Sequence, residues 1–282
     1  MARTPAPPAS PQPVPAELRP YLAEQVHRIR TVCGPHLVSV LAIGSVALGD
    51  YLHGRSDVDV MVVVDPSLPG RALHELAGTL SHSALPCPAA GLELVVHASD
   101  TAAGTGEGGA GYLLDLNTGA ELPEKVSFDP GESADFWYVI DRSIASRAGR
   151  PLFGGPAREA VAEPPRTALL TALRASVREH ADGEGHLADN RVLNGCRSLV
   201  FCRTGQWLPK RRAAEAVAAS EPAFRPLVEA ALHSFERPRA AALPLPAGDV
   251  RRFLDRVAAR VDEAMEATGS RKPLDHGPRD CL

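Results

Sequence analysis

Residues 41–65 read LAIGSVALGDYLHGRSDVDVMVVVD. The β-branched, apolar run over 38–43 predicts a strand, and it ends at Gly44-Ser45. Residues 46–52 are short and turn-bounded, enough for one helix and a loop, so Ser45 falls where a strand hands over to a helix. The first N–H groups of a helix have no partner within it. Gly44 removes the side chain that would hold an anion away, so backbone amides and the Ser45 hydroxyl are placed to bind one. The loop at residues 53–56 then returns the chain into a second strand. There side chains alternate between faces, so Asp57 and Asp59 point the same way while Val58, Val60, Val62 and Val64 pack inward. Two carboxylates on one face make a hard-oxygen site suited to Mg²⁺.

Taken singly, a Gly-Ser is a common turn and a Ser-Asp ahead of a valine run is a common loop end. Their conjunction is more specific. Strand, Gly-Ser, helix, loop and an Asp-x-Asp strand within one short stretch resemble the signature of the nucleotidyltransferase superfamily, which includes DNA polymerase β and the aminoglycoside adenylyltransferases. The resemblance implies an α+β fold: a polymerase β-like domain with a mixed sheet and helices, followed by an all-α helical bundle. It also implies ATP as co-substrate and Mg²⁺ as cofactor.

The chain of 282 residues is long enough for two domains. With 44% hydrophobic and 23% charged residues it reads as soluble and globular. The formal net charge of -4 and the lack of a basic block disfavour nucleic-acid substrates and suit a small cationic acceptor. Five cysteines, with no C-x-x-C, read as reduced thiols of a cytoplasmic protein. No apolar run is long enough to span a membrane. The expected organisation is a Pro-rich disordered arm at 1–15, the nucleotidyltransferase domain at 16–131, a helical bundle at 132–267 and a flexible tail at 268–282, working as a monomer.

Along the chain, residues 16–32 predict a first helix and residues 71–83 another. Glu93 opens an apolar strand, LELVVH. Read alone, it could face solvent at a sheet edge. In the adenylyltransferases a strand at this place brings a third carboxylate to the metals, so the resemblance makes Glu93 the general base for an acceptor hydroxyl or a metal ligand. Residues 99–111 read as a glycine-rich loop, and 112–130 as a hairpin or irregular edge without a counterpart in the well-known resistance enzymes. From Ser133 onward the pattern is helical throughout, with apolar stripes through Phe136, Ile140 and Ile144, through Leu169 and Leu173, through Val192, Cys196 and Leu199, through Leu227, Ala231 and Phe235, and through Phe253, Val257 and Val261. Asp249 is the expected N-cap of the last helix.

The segment NRVLNGCRSLVFCRTGQWLPK, residues 190–210, closely resembles one in the streptomycin and spectinomycin adenylyltransferases, where an Asn, an Arg, a Thr-Gly and a Pro-Lys follow in this order. The likeness implies that Asn190 and Lys210 bind ATP from the helical domain. Arg197 stands open between a phosphate contact and a domain-interface ion pair. Where the family has a nucleotide-contacting Tyr this chain has Phe235, whose place in an apolar stripe points to core packing. The implied activity is transfer of AMP from ATP to a hydroxyl of a streptomycin- or spectinomycin-type antibiotic. The alternatives are the same chemistry on another small molecule or a protein side chain, and a non-catalytic nucleotide-binding module.

Overall fold

The structure is a computed structural model and describes residues 13–105, 111–182 and 187–269. Most of the arm read at 1–15, part of the loop at 99–111 and nearly all of the tail at 268–282 lie outside the described residues. Helix α1 (Arg19–Cys33) leads into β1 (Leu37–Ala42), and the short α2 (Gly44–Leu48) follows at the Gly-Ser turn. Strand β2 (Val58–Val64) runs antiparallel to β1. Helix α3 (Gly70–Leu80) then crosses over to β3 (Leu92–Ala98), which is parallel to β2. Residues 99–102, read as loop, form one helical turn, α4 (Ser99–Ala102). The hairpin read over 112–130 is present as β4 (Leu114–Thr118) and β5 (Lys125–Ser127), antiparallel to each other and added to β3.

The valine run of β2 is apolar at nearly every position because both faces of the sheet are covered. Val60, Val62 and Val64 join α1 and α3 in one core, through Leu22, Ile29, Leu76 and Leu80. Met61 and Val63 pack on the other face with Leu41, Ala102, Ala145 and Val161.

Unbroken helix from Ser133 onward does not hold. After α5 (Phe136–Ala148) the chain forms β6 (Arg150–Phe153), which pairs antiparallel with β1 and completes a six-stranded sheet in the order β5-β4-β3-β2-β1-β6. The strand is short and lacks alternation, and its pairing is with residues more than a hundred positions earlier, which no local pattern announces. Gly154 turns the chain away at φ +90°, where a Cβ would stand 2.7 Å from the Val38 carbonyl oxygen.

The rest is helical: α6 (Ala157–Ala160), α7 (Arg166–Asp182), α8 (Ala188–Thr204), α9 (Lys210–Ser220), α10 (Arg225–Phe235) and α11 (Ala247–Gly269). The five predicted stripes meet in one core through Ile144, Leu173, Leu199, Phe235 and Phe253. Helix α9 falls within the stretch read as helical but carries none of the five stripes, since its buried face is only Ala213, Ala214 and Val217. Asp249 is not an N-cap: α11 starts at Ala247, and Asp249 sits in its first turn with its N–H on the Pro246 carbonyl at 3.0 Å.

A buried ion pair ties the sheet to the helices. Arg55 donates to Asp189 at 2.6 Å with both side chains 1% exposed, and the Ser234 hydroxyl donates to the other Asp189 oxygen at 2.5 Å. Nearby, Asp50 accepts the backbone N–H of Arg211 at 3.2 Å and forms an ion pair with the same residue's guanidinium, its Nε 3.0 Å away.

Candidate active site

The strand-to-helix turn is built around Asp59. The N–H of Ile43 donates to the Asp59 carbonyl at 2.9 Å. Gly44 takes φ +53°, and a Cβ there would collide with the Asp59 carboxylate. Only glycine satisfies both demands. The Ser45 backbone N–H bonds the Asp59 carboxylate, so that amide already serves an anion of the protein. The Ser45 hydroxyl is buried and has no protein partner.

Register then supplies the second acid. On the parallel strands β2 and β3, Asp59 lies directly beside Glu93. Burial raises both carboxyls, and the charges of Asp57 and Asp141 raise them further; Glu93 stands well above the usual glutamate value. Asp57, just ahead of β2, is 25% exposed and accepts from Arg239 Nη1 at 3.4 Å. Among the described residues no group of three or more His, Cys, Asp or Glu side chains is gathered closely enough to hold a metal ion. Asp57, Asp59 and Glu93 therefore share a face without forming a ready-made cage. Arg239 engages the first of them, and the three carboxylates repel one another. The donor set nevertheless fits a hard divalent cation: it is all oxygen, it is enriched in negative charge, and the raised carboxyls would be relieved by one.

Helices α8 and α9 form the facing wall. Lys210 opens α9 and its Nζ donates to Asn190 Oδ1 at 3.1 Å while lying 5.2 Å from the centre of the Phe235 ring. Burial lowers the Lys210 pKa, against the opposing pull of Asp57 and Asp59. Arg197 sits over Trp207 at 5.4 Å, and its Nε and Nη2 are buried without a hydrogen-bond partner. Phe235 is 3% exposed and belongs to the helical core, and it also carries Arg55 on its ring. Gly44, Ser45, Asp57, Asp59, Glu93, Asn190, Arg197 and Lys210 all line a single cavity of about 570 Å³.

Sequence reasoning missed several groups that line the same cavity. Asp141 lies on α5 beside the apolar stripe, where an acid next to a buried face was the available signal. Burial pushes its carboxyl up to about 7, opposed by Arg197 and reinforced by Asp115 and Asp57. The 112–130 hairpin lines the far end of the cavity. Its hub is Asp115, which accepts from Lys125 at 2.9 Å, the Tyr138 hydroxyl at 3.1 Å and Asn117 at 3.2 Å. Glu132 and Glu179 add further carboxylates there. Arg239, in the linker between α10 and α11, had no signal in the sequence.

A mixed sheet with paired acids at its mouth, facing a cationic wall across a cleft, defines a nucleotidyltransferase. Residues 28–87 match the nucleotidyltransferase domain family, and residues 160–260 match the C-terminal domain of the aminoglycoside adenylyltransferases. Taken together, the two matches support an aminoglycoside adenylyltransferase of the nucleotidyltransferase superfamily. Among solved structures it is similar to spectinomycin adenyltransferase AAD(9) from Enterococcus faecialis, a structure with ATP and spectinomycin. The TM-score is 0.63 at 18% identity over 86% of this chain and 98% of that one. No curated protein sequence matches the chain.

Proposed function

We propose that this enzyme transfers AMP from ATP to a hydroxyl of a cationic aminoglycoside or aminocyclitol of the streptomycin or spectinomycin type. The observation that carries the reading is the Asp59–Glu93 pair beside the unpartnered Ser45 hydroxyl, facing Lys210 and Arg197 across one cavity. An acceptor with several ammonium groups suits this cavity, whose lining adds Asp115, Glu132, Asp141 and Glu179 to the acids of β2 and β3.

In this mechanism the triphosphate lies between the strand-to-helix turn and helices α8 and α9. The Ser45 hydroxyl donates to a phosphate oxygen, and Lys210 and Arg197 offset charge that grows on the leaving phosphates. Asn190 holds Lys210 in place. Asp57 and Asp59, with Glu93 as the alternative third ligand, would hold Mg²⁺, which when bound neutralises and polarises the triphosphate. Glu93 accepts the proton of the acceptor hydroxyl as its oxygen bonds to the α-phosphorus; the bond from that phosphorus to the bridging oxygen breaks, and pyrophosphate leaves. A carboxyl raised by burial is a stronger base than an ordinary glutamate, nearer the pH at which it would work.

We divide the chain functionally at residues 131/132, with residues 150–153 lent back to the first unit's sheet. A monomer in the cytoplasm is consistent with Cys33, Cys87, Cys196 and Cys202, all unbridged, and among the described residues no helix is long and apolar enough to cross a membrane. The test is incubation with each nucleoside triphosphate, Mg²⁺ and a panel of aminoglycosides and aminocyclitols, with pyrophosphate and product mass as readouts. Glu93→Gln should keep ATP binding and lower the rate roughly 100-fold or more, the scale of a lost general base. Loss of ATP affinity in step with rate would make Glu93 a ligand instead. ATP binding without pyrophosphate release for every acceptor would favour a nucleotide-binding module.

A further inference from the structure

Arg239 makes two contacts that a linker residue has no local reason to make. It sits on the short turn Arg239–Ala241 between α10 and α11. Its backbone N–H donates to the Gly54 carbonyl at 3.3 Å, which hooks the linker onto the loop ahead of Asp57. Its guanidinium reaches Asp57 Oδ2 at 3.4 Å, with 21% of the arginine side chain and 25% of the aspartate side chain exposed. Among the described residues, none of the other cations of the cavity has Asp57, Asp59 or Glu93 as a recorded ion-pair partner. Arg55 is locked on Asp189, Lys125 on Asp115 and Lys210 on Asn190, while Arg197 is stacked on Trp207. Arg239 is the cavity cation whose recorded carboxylate partner is an acid that the proposed reaction needs for other work.

The Arg239–Asp57 contact is long and partly solvated, so it is weak and easily exchanged. A divalent cation on Asp57 weakens the carboxylate's hold on the guanidinium, since the two positive charges repel and the metal draws on the same lone pairs. Once displaced, Arg239 is still held by its backbone to Gly54, facing the cavity that also holds Ser45 and Lys210. The anion available to it there is the triphosphate, whose oxygens match the planar fork of an arginine.

We propose that Arg239 is an exchangeable phosphate ligand: it caps Asp57 when the site holds no nucleotide, and moves onto the β- or γ-phosphate when metal and nucleotide enter. The role rests on the nucleotidyltransferase reading above. It makes Arg239 a competitor for the metal in the free protein and a binding group for the leaving pyrophosphate in the complex, so its removal must shift two affinities in opposite directions. A structural role in the linker would not do that.

The experiment compares wild type, Arg239→Gln and Arg239→Lys in three titrations: Mn²⁺ alone followed by electron paramagnetic resonance, and ATP and AMP, each with Mn²⁺, followed by calorimetry. Arg239→Gln should bind Mn²⁺ several-fold more tightly and ATP about tenfold more weakly, the loss expected for one charge-assisted hydrogen bond, with AMP unchanged. Arg239→Lys, which keeps the charge, should retain the wild-type Mn²⁺ affinity and lose only part of the ATP affinity; it carries the test on its ATP and AMP titrations if the Gln variant does not fold. Equal weakening of ATP and AMP, or no change in ATP and Mn²⁺, would overturn the role of Arg239 while leaving the site reading intact. A wild-type protein that binds no ATP would overturn the site reading and this proposal together.

Discussion

Replacing Asp141 by Asn removes one charge from the cleft at nearly constant volume. In the fold this carboxyl is raised from 3.8 to about 7, first by burial, with Arg197 opposing and Asp115 and Asp57 adding. A folded pKa above the unfolded one means that the native protein holds the proton more tightly. Asp141 is therefore harmless below its unfolded value, costs progressively more as the pH climbs toward about 7, and imposes a constant penalty above that. A rise of about three units at about 1.36 kcal/mol each sets a ceiling near 4 kcal/mol. Solvent at the mouth of the cleft screens part of this, leaving about 2 kcal/mol. Arg197 keeps Asp59 and Asp50 as neighbours, so the substitution does not strand it. Urea unfolding of the nucleotide-free, chelator-treated protein, followed by circular dichroism, should give Asp141→Asn a lead over wild type that widens by about 2 kcal/mol between about pH 4.5 and about pH 8. Parallel pH profiles, or a variant less stable than wild type at the higher pH, would refute the reasoning.

Gly44→Ala forces a Cβ into the Asp59 carboxylate at a positive φ, and should abolish transfer while far-ultraviolet circular dichroism stays native; retained turnover would mean that the turn relaxes freely. Asp189→Ala strands the buried Arg55 and should cost about 3–5 kcal/mol in urea unfolding, with Arg55→Met/Asp189→Leu recovering much of it. A loss below about 1 kcal/mol would indicate that water reaches the pair. Lys210→Ala should weaken ATP by about 1–3 kcal/mol in calorimetry, since a charged hydrogen-bond donor is lost. An unchanged affinity would remove Lys210 from the nucleotide site.

The turn at Gly44-Ser45 and the acids of β2 and β3 were legible because each depends on its immediate neighbours in sequence. A glycine ending a β-branched run and a carboxylate opening the next strand are local facts, and strand alternation carries them onto a face. The pairing of Asp59 with Glu93 is one step less local, because it needs the register between two parallel strands. Asp141 was hidden by its own helix: the stripe through Phe136, Ile140 and Ile144 accounts for α5 without saying what its other residues meet. Helix α9 showed no stripe of its own, since alanines bury a face without making a strong apolar period. Arg239 was beyond reach, because a Pro-flanked linker is brought to Asp57 by the packing of α10 and α11, and nothing in its own sequence encodes that destination.

Strand β6 bears on the order in which the protein is made. The free edge of β1, including Val40 and Leu41, is closed by residues 150–153, which leave the ribosome only after the whole of α5 has been synthesised. Until then the nascent sheet carries an unpaired apolar strand, the kind of edge that templates association with other chains. A fragment ending near residue 131 would keep that edge permanently and should precipitate, whereas one extended to about residue 160 would carry its own cover. Anyone isolating the catalytic half for ligand screening should cut after β6.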